Sequence, residues 1–149
     1  MTTLDDLLTP RSVALVGASD NPARIGGRPL AFFKNLGYEG KIFPVNPNRD
    51  KVQGIDAFPS LSEINDDVDF VLVAVPAKGV LDVMRQAVEK RAKTVMIFSS
   101  GFGEMNEDGQ AMQDELTHMA AQSGVRVIGP NCLGVFNSAI NFYPTFTST

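Results

Sequence analysis

The chain has little thiol and little imidazole: one cysteine, Cys132, and one histidine, His118. A single cysteine excludes an intrachain disulfide and fits a reducing compartment. Basic runs are missing as well. Lys and Arg number 13 against 17 Asp and Glu, a net charge of −4. That argues against a nucleic-acid or anionic-membrane partner, which would need a basic stripe. The longest apolar stretch, Phe70 to Ala77, is far short of the roughly 20 residues of a membrane-spanning helix. Met1 to Asp6 is acidic and lacks the basic and apolar regions of a signal peptide. There is no triphosphate-binding P-loop, no paired carboxylate, no metal-ligand cluster, no repeat and no low-complexity linker. What is left is a cytoplasmic protein or domain, and 149 residues suffice for one domain with a real core.

What is present is alternation. Leu4 to Leu8 reads as a helical turn ended by Thr9-Pro10. Val13 to Val16 is a continuous apolar run, the mark of a strand buried on both faces. The spacing then predicts a helix from around Ile25–Pro29 to Asn35, a strand over Lys41–Val45 and a loop from Gly54 to Pro59 anchored by Phe58. A short helix follows at Ser60, with Ser60 and Glu63 at capping-box spacing. Strands are expected over Val68–Val75, Thr94–Phe98 and Val125–Ile128, and helices over Lys78–Arg91 and Glu107–Gln122, stopped by Gly124. A short final strand opens at Val135-Phe136. The tail from Asn141, with Tyr143-Pro144 and then Thr, Ser and one Phe, reads as a linker or cut edge. Strand–helix alternation predicts an α/β fold, Rossmann-like and doubly wound, with a mainly parallel sheet and helices on both faces.

In such a sheet, ligands bind outside the carboxyl ends of the strands. Those ends are Gly17-Ala18-Ser19, Asn46-Pro47, Pro76-Ala77, Ser99-Ser100-Gly101 and Pro130-Asn131-Cys132. Ordinary turn chemistry accounts for any one of them; together they favour a crevice rimmed by N–H groups and hydroxyls. The stretch Val13 to Gly27 joins a strand to a helix start, where unpaired N–H groups and the helix dipole favour an anion. The NAD fingerprint fails on it, because Ser19 and Pro22 stand where glycines belong and Asn46 replaces the ribose-binding acid. Arg24 inside the loop, and Arg49 or Lys51 beyond the second strand, are candidate phosphate partners. His118 sits mid-helix beside Leu116 and Met119 and reads as helix surface. Glu104, Glu107, Asp108, Asp114 and Glu115 read as helix-start charges and a solvated face.

As a set, Gly17-Ala18-Ser19-x-x-Pro22 with Gly26, Val45-Asn46-Pro47, Val75-Pro76-Ala77, Ser99-Ser100-Gly101-Phe102-Gly103-Glu104 and Gly129-Pro130-Asn131-Cys132-Leu133-Gly134 resemble a known family. It is the CoA-binding domain of NDP-forming acyl-CoA synthetases. That superfamily includes the succinyl-CoA synthetase alpha subunit and the CoA-binding half of Pat-type protein acetyltransferases. The resemblance runs from about Leu7 to Asn137. It implies that coenzyme A is the cofactor and that Gly17, Ala18, Ser19, Pro22, Arg24, Ile25 and Gly26 hold its phosphates. Asn46-Pro47 with Arg49 would border the adenosine end. Val75-Pro76 would lie near adenine and the pantetheine arm, Ser99-Ser100-Gly101 would face the pantetheine, and Asn131-Cys132 would lie toward the thiol end.

The synthetases of this family pass a phosphoryl group through a histidine in a following domain, and His118 matches no such motif. No catalytic residue is therefore assigned, and Cys132 reads as a small buried cysteine. Residues 1–140 would form the CoA-binding domain. Residues 141–149 would lead toward downstream ligase domains or a partner subunit of an acid–thiol ligase. The alternatives are a non-catalytic CoA-binding module, stand-alone or part of a Pat-type acetyltransferase, and, against Ser19 and Asn46, a nicotinamide-binding Rossmann domain.

Overall fold

A computed structural model describes residues 2–148. The element order is α1 (Leu4–Leu8), β1 (Ser12–Val16), α2 (Arg28–Asn35), β2 (Lys41–Val45), β3 (Lys51–Val52), β4 (Ile55–Asp56), a 3-10 turn (Leu61–Glu63), β5 (Phe70–Val73), α3 (Ala77–Glu89), β6 (Thr94–Ile97), α4 (Glu107–Ser123) and β7 (Arg126–Ile128). The main sheet has five strands in the order β2-β1-β5-β6-β7, and every pairing is parallel. After β1 the chain crosses to one side of the sheet, and after β5 to the other. The crossover direction thus reverses between β1 and β5, and right-handed crossovers must then place their helices on opposite faces.

The side chains obey this. Along β1, Val13 and Leu15 join Leu30 and Phe33 of α2. Ala14 and Val16 face Val80, Met84 and Ala87 of α3 and Leu116 of α4. That is the period-two alternation of a strand buried on both faces. Gly124 ends α4 in the left-handed conformation at φ 78°, the role read from the sequence.

Four expectations are corrected. The capping box does not form at Ser60, whose side chain makes no cap bond. The 3-10 turn is too short to return Glu63, and the Ser62 N–H bonds the Gln86 side chain instead. A capping box is present at Thr3 and Asp6 before α1. The stretch after Val52 is not simply loop, since Lys51–Val52 and Ile55–Asp56 form a small antiparallel hairpin.

The third correction concerns the tail. Residues 141–146 are not a free linker. Phe142 is fully buried between Phe33 at 5.4 Å, Tyr38 at 5.2 Å and Phe70 at 5.1 Å. One face of the sheet carries α3 and α4, whereas the other carries only α2. The returning tail, with Ile140, Phe142 and Phe146, covers apolar strand surface that a second helix would otherwise shield. Val135-Phe136 forms no strand. Single antiparallel bridges pair Gly134 with Thr145 and Asn137 with Phe142.

Candidate functional site

The switch point between β1 and β5 is marked by a close approach. Gly17 has φ +90°, and a Cβ there would meet the Ala74 carbonyl at 2.8 Å. The N–H groups of Gly17 and Ala18 both donate to the Val45 carbonyl at 3.2 Å, so the loop leaves β1 tied to the end of β2. Asn46 adds to this, donating from its carboxamide to the Ala18 carbonyl at 3.0 Å and accepting from the Asn48 N–H at 2.8 Å. It is a loop-closing residue here, with no carboxylate to offer a ribose diol.

The loop from Ser19 to Gly27 then folds back on itself. The Ser19 N–H donates to the Gly26 carbonyl at 3.0 Å. The Asn21 carboxamide oxygen accepts from the Ala23 N–H at 2.9 Å. Among the described residues the N–H groups of Ile25 and Gly26 find no acceptor in the chain. They stand just before α2, where the helix dipole favours negative charge.

The helix starts divide in the same way. α1 is capped by Thr3, and α4 by Asn106 with Glu107 and Asp108 in its first turn. α2 and α3, which follow β1 and β5 on either side of the switch point, have no side-chain cap and no acid in the first turn. Apart from the Arg28 and Gly79 N–H groups, which bond the Arg24 and Pro76 carbonyls, the first-turn N–H groups of these helices are left for an external acceptor.

Two clefts lie along this carboxyl edge. One of about 400 Å³ is lined by Gly17, Ala18, Asn46, Pro47 and Val75 among others. The second, of about 380 Å³, is lined by Ile25, Val75, Pro76, Ser99, Ser100 and Asn131 with Phe146. Val75 borders both, so the two clefts are neighbours on this edge. A larger hollow of about 500 Å³ opens at the opposite, amino edge around Pro10, Tyr38 and Ile140. It receives no open helix start, and its Tyr38 hydroxyl is spent on the Pro10 carbonyl at 2.8 Å. The carboxyl edge is therefore the better candidate.

Of the remaining sequence candidates, Ser19, Pro22, Arg24 and Gly26 lie on the loop without lining either cleft. Arg24 is exposed and ion-paired with nothing among the described residues. Arg49 is bound to Asp20 at 2.5 Å, and Lys51 to Asp56 at 2.8 Å. The Cys132 thiol donates to the Ile97 carbonyl at 3.4 Å. Burial pushes its pKa up, the reverse of what a nucleophile needs.

The Ser99 hydroxyl donates to the Val75 carbonyl, joining the ends of β5 and β6. The Gly101 N–H donates to Glu104 at 2.5 Å and the Phe102 N–H to the same carboxylate at 3.1 Å. Those bonds, that of Gly101 above all, hold the Glu104 pKa below its ordinary value. Glu104 is thus an anchor of the glycine loop, not a merely solvated charge. Its place three residues after Gly101 was the available signal. His118 is exposed on α4, and no group of metal-ligating side chains occurs among the described residues. No described helix is long and apolar enough to cross a membrane.

With this geometry in hand, the comparisons with known proteins are specific. The alpha subunit of acetate–CoA ligase (ADP-forming) II from Pyrococcus furiosus is 41% identical over 145 residues, 96% of this chain and 31% of that subunit. A structure of dinucleotide-forming acetyl-coenzyme A synthetase 1 of Ca. Korarchaeum cryptofilum, in complex with phosphate and ADP, superposes with a TM-score of 0.92. It has 32% identity over 99% of this chain and 32% of that one. The chain therefore spans about a third of these larger proteins. A shorter relative, the uncharacterized protein YneT of Bacillus subtilis, is 32% identical over 105 residues, 70% of this chain and 74% of that protein. Residues 11–138 match the family described as CoA binding domain, and to that family the chain belongs.

Proposed function

We propose that this chain is the CoA-holding domain of an ADP-forming acyl-CoA synthetase, in which acid, CoA and ATP give acyl-CoA, ADP and phosphate. The observation that carries the reading is the pair of clefts that share Val75 on the edge where α2 and α3 start uncapped. A ligand with two arms and phosphates between them would use both clefts. The loop Gly17 to Gly26 would face those phosphates, with the Ile25 and Gly26 N–H groups as donors and Arg24 as counter-charge. Asn46-Pro47 would border the adenosine, with Arg49 acting through Asp20. Val75-Pro76 and Ser99-Ser100-Gly101 would line the pantetheine arm, and Asn131-Cys132 would lie toward the thiol. No group of this chain is assigned to phosphoryl transfer, which belongs to downstream domains or a partner subunit. A cytoplasmic setting fits the single free thiol.

Isothermal titration with CoA, with CoA lacking its 3′-phosphate and with NADH tests this. CoA should bind and NADH should not. Binding of neither CoA form would sink the reading, and tighter binding of NADH would replace it. A second reading, a non-catalytic CoA-binding module, is favoured by the match to most of the short protein YneT. Acyl-CoA formation on addition of the remaining ligase domains would decide for the synthetase.

A further inference from the structure

The hairpin β3–β4 lies outside the alternating sheet, yet it is bound to the anion loop through one residue. Gln53 occupies the first position of its two-residue turn, with φ 49°. Its carboxamide nitrogen donates to the Ser19 carbonyl at 2.9 Å and to the Gly27 carbonyl at 2.8 Å. Those carbonyls are the two ends of the folded loop, so one side chain closes it.

Gln53 is itself fixed on both sides. Its backbone N–H donates to Asp20 at 2.7 Å, and its carbonyl accepts from Lys34 of α2. Asp20 also carries the Arg49 ion pair. The hairpin in turn is seated on β2, because the Phe58 N–H donates to the Pro44 carbonyl and the Asn46 N–H to the Phe58 carbonyl, both at 2.9 Å. A carboxamide is the one common side chain of this length that offers two N–H donors without a charge. The free Ile25 and Gly26 N–H groups lie within the segment that Gln53 spans.

We propose that Gln53 is a positioning residue for the anion site. It latches the loop from outside, setting the spacing between Ser19 and Gly27 and hence the aim of the N–H groups between them. The Ser19–Gly26 bond and the turn bonds of Arg24 and Gly27 hold the loop from within, and Asp20 stays bound to the Gln53 N–H and to Arg49, so loss of the side-chain latch loosens the loop at Ser19 and Gly27 without disturbing the sheet. The claim about ligand affinity rests on the CoA reading above; the claim about loop geometry does not.

Gln53→Glu and Gln53→Ala test it, the first keeping the size of the side chain while removing both donors at neutral pH. Hydrogen–deuterium exchange of the ligand-free chain should rise roughly tenfold or more at the bonded N–H groups of Ser19, Arg24 and Gly27 and stay unchanged in β5 and β6. Titration should show CoA and ADP weakened together by roughly tenfold, with pantetheine, which has no phosphate, unaffected. Unchanged exchange in the loop, or a rise spread evenly over the chain, overturns the proposal. Looser loops with undiminished CoA affinity also overturn it. If the wild-type chain binds no CoA, the proposed function fails and the exchange pattern alone decides the latch.

Discussion

At Gly26 an added Cβ would stand 2.0 Å from the Gly17 carbonyl oxygen. That is backbone, which cannot swing aside as a long side chain would. The glycine is needed for this close approach, because it lets the loop fold flat over the end of β1. Gly26→Ala should therefore force the loop open. The expected result is loss of measurable CoA binding in titration, with a stability cost of about 1–3 kcal/mol from overpacking in a urea melt. Full affinity with a normal melt would mean that the loop has another conformation available. The sequence carried part of this signal. Gly17 and Gly26 were legible as loop glycines, because small residues after a buried strand mark close backbone approach. The roles of Asp20 and Gln53 were not. Each depends on a bond to a backbone group that comes near only when the chain is folded, and a lone carboxylate or carboxamide has no periodicity to betray it; Glu104, by contrast, bonds N–H groups two and three residues away, so its spacing from Gly101 was a local sign.

Among the elements, the strands of the main sheet were legible and the hairpin and tail were not, for related reasons. A buried parallel strand is a continuous apolar run, which Val13–Val16 and Phe70–Val73 display. Strands of two residues, as in β3 and β4, are too short to show alternation. The tail's one fully buried ring, Phe142, is followed by Tyr143 and Pro144 in a stretch whose composition is that of a loop. Its burial is tertiary, supplied by rings from α2, from the turn after it and from β5. Phe142→Ala should cost about 3–5 kcal/mol, the range for emptying a core aromatic site. Ending the chain before residue 141 should cost at least as much. Urea denaturation measures both, and a loss below about 1 kcal/mol, the scale of a surface change, would return residues 141–146 to the status of linker.

For the whole molecule, charge sets how it meets acid. Asp6, bonded first by the Thr3 N–H and then by Lys93, has a pKa lowered to about 2, and it fastens α1 to the amino edge. Glu104, at the opposite edge, is also lowered. A carboxylate depressed in the folded state contributes stability that is complete above its unfolded pKa, about 4, and lost as pH falls through its folded value. Stability should therefore fall between about pH 4 and pH 2, and Asp6→Asn should flatten that limb while leaving neutral stability lower. An unchanged slope in urea melts of that variant would show that Asp6 is not a source of the acid sensitivity. The parallel architecture itself follows from features that any reading of the chain meets early: apolar runs, helical spacing between them, and small or proline-pinned strand ends. The candidate site was legible as a place, the carboxyl edge where the strand ends gather, and the contacts around it were not.

The returning tail has one further consequence. Phe146 lines the second cleft, its ring lies 4.8 Å from that of Phe98, and its carbonyl accepts from Arg28 at 2.6 Å, at the start of α2. One residue of the tail thus joins the wall of the cleft to the start of α2, so a Phe146→Ala change should alter both the cleft and the seating of that helix.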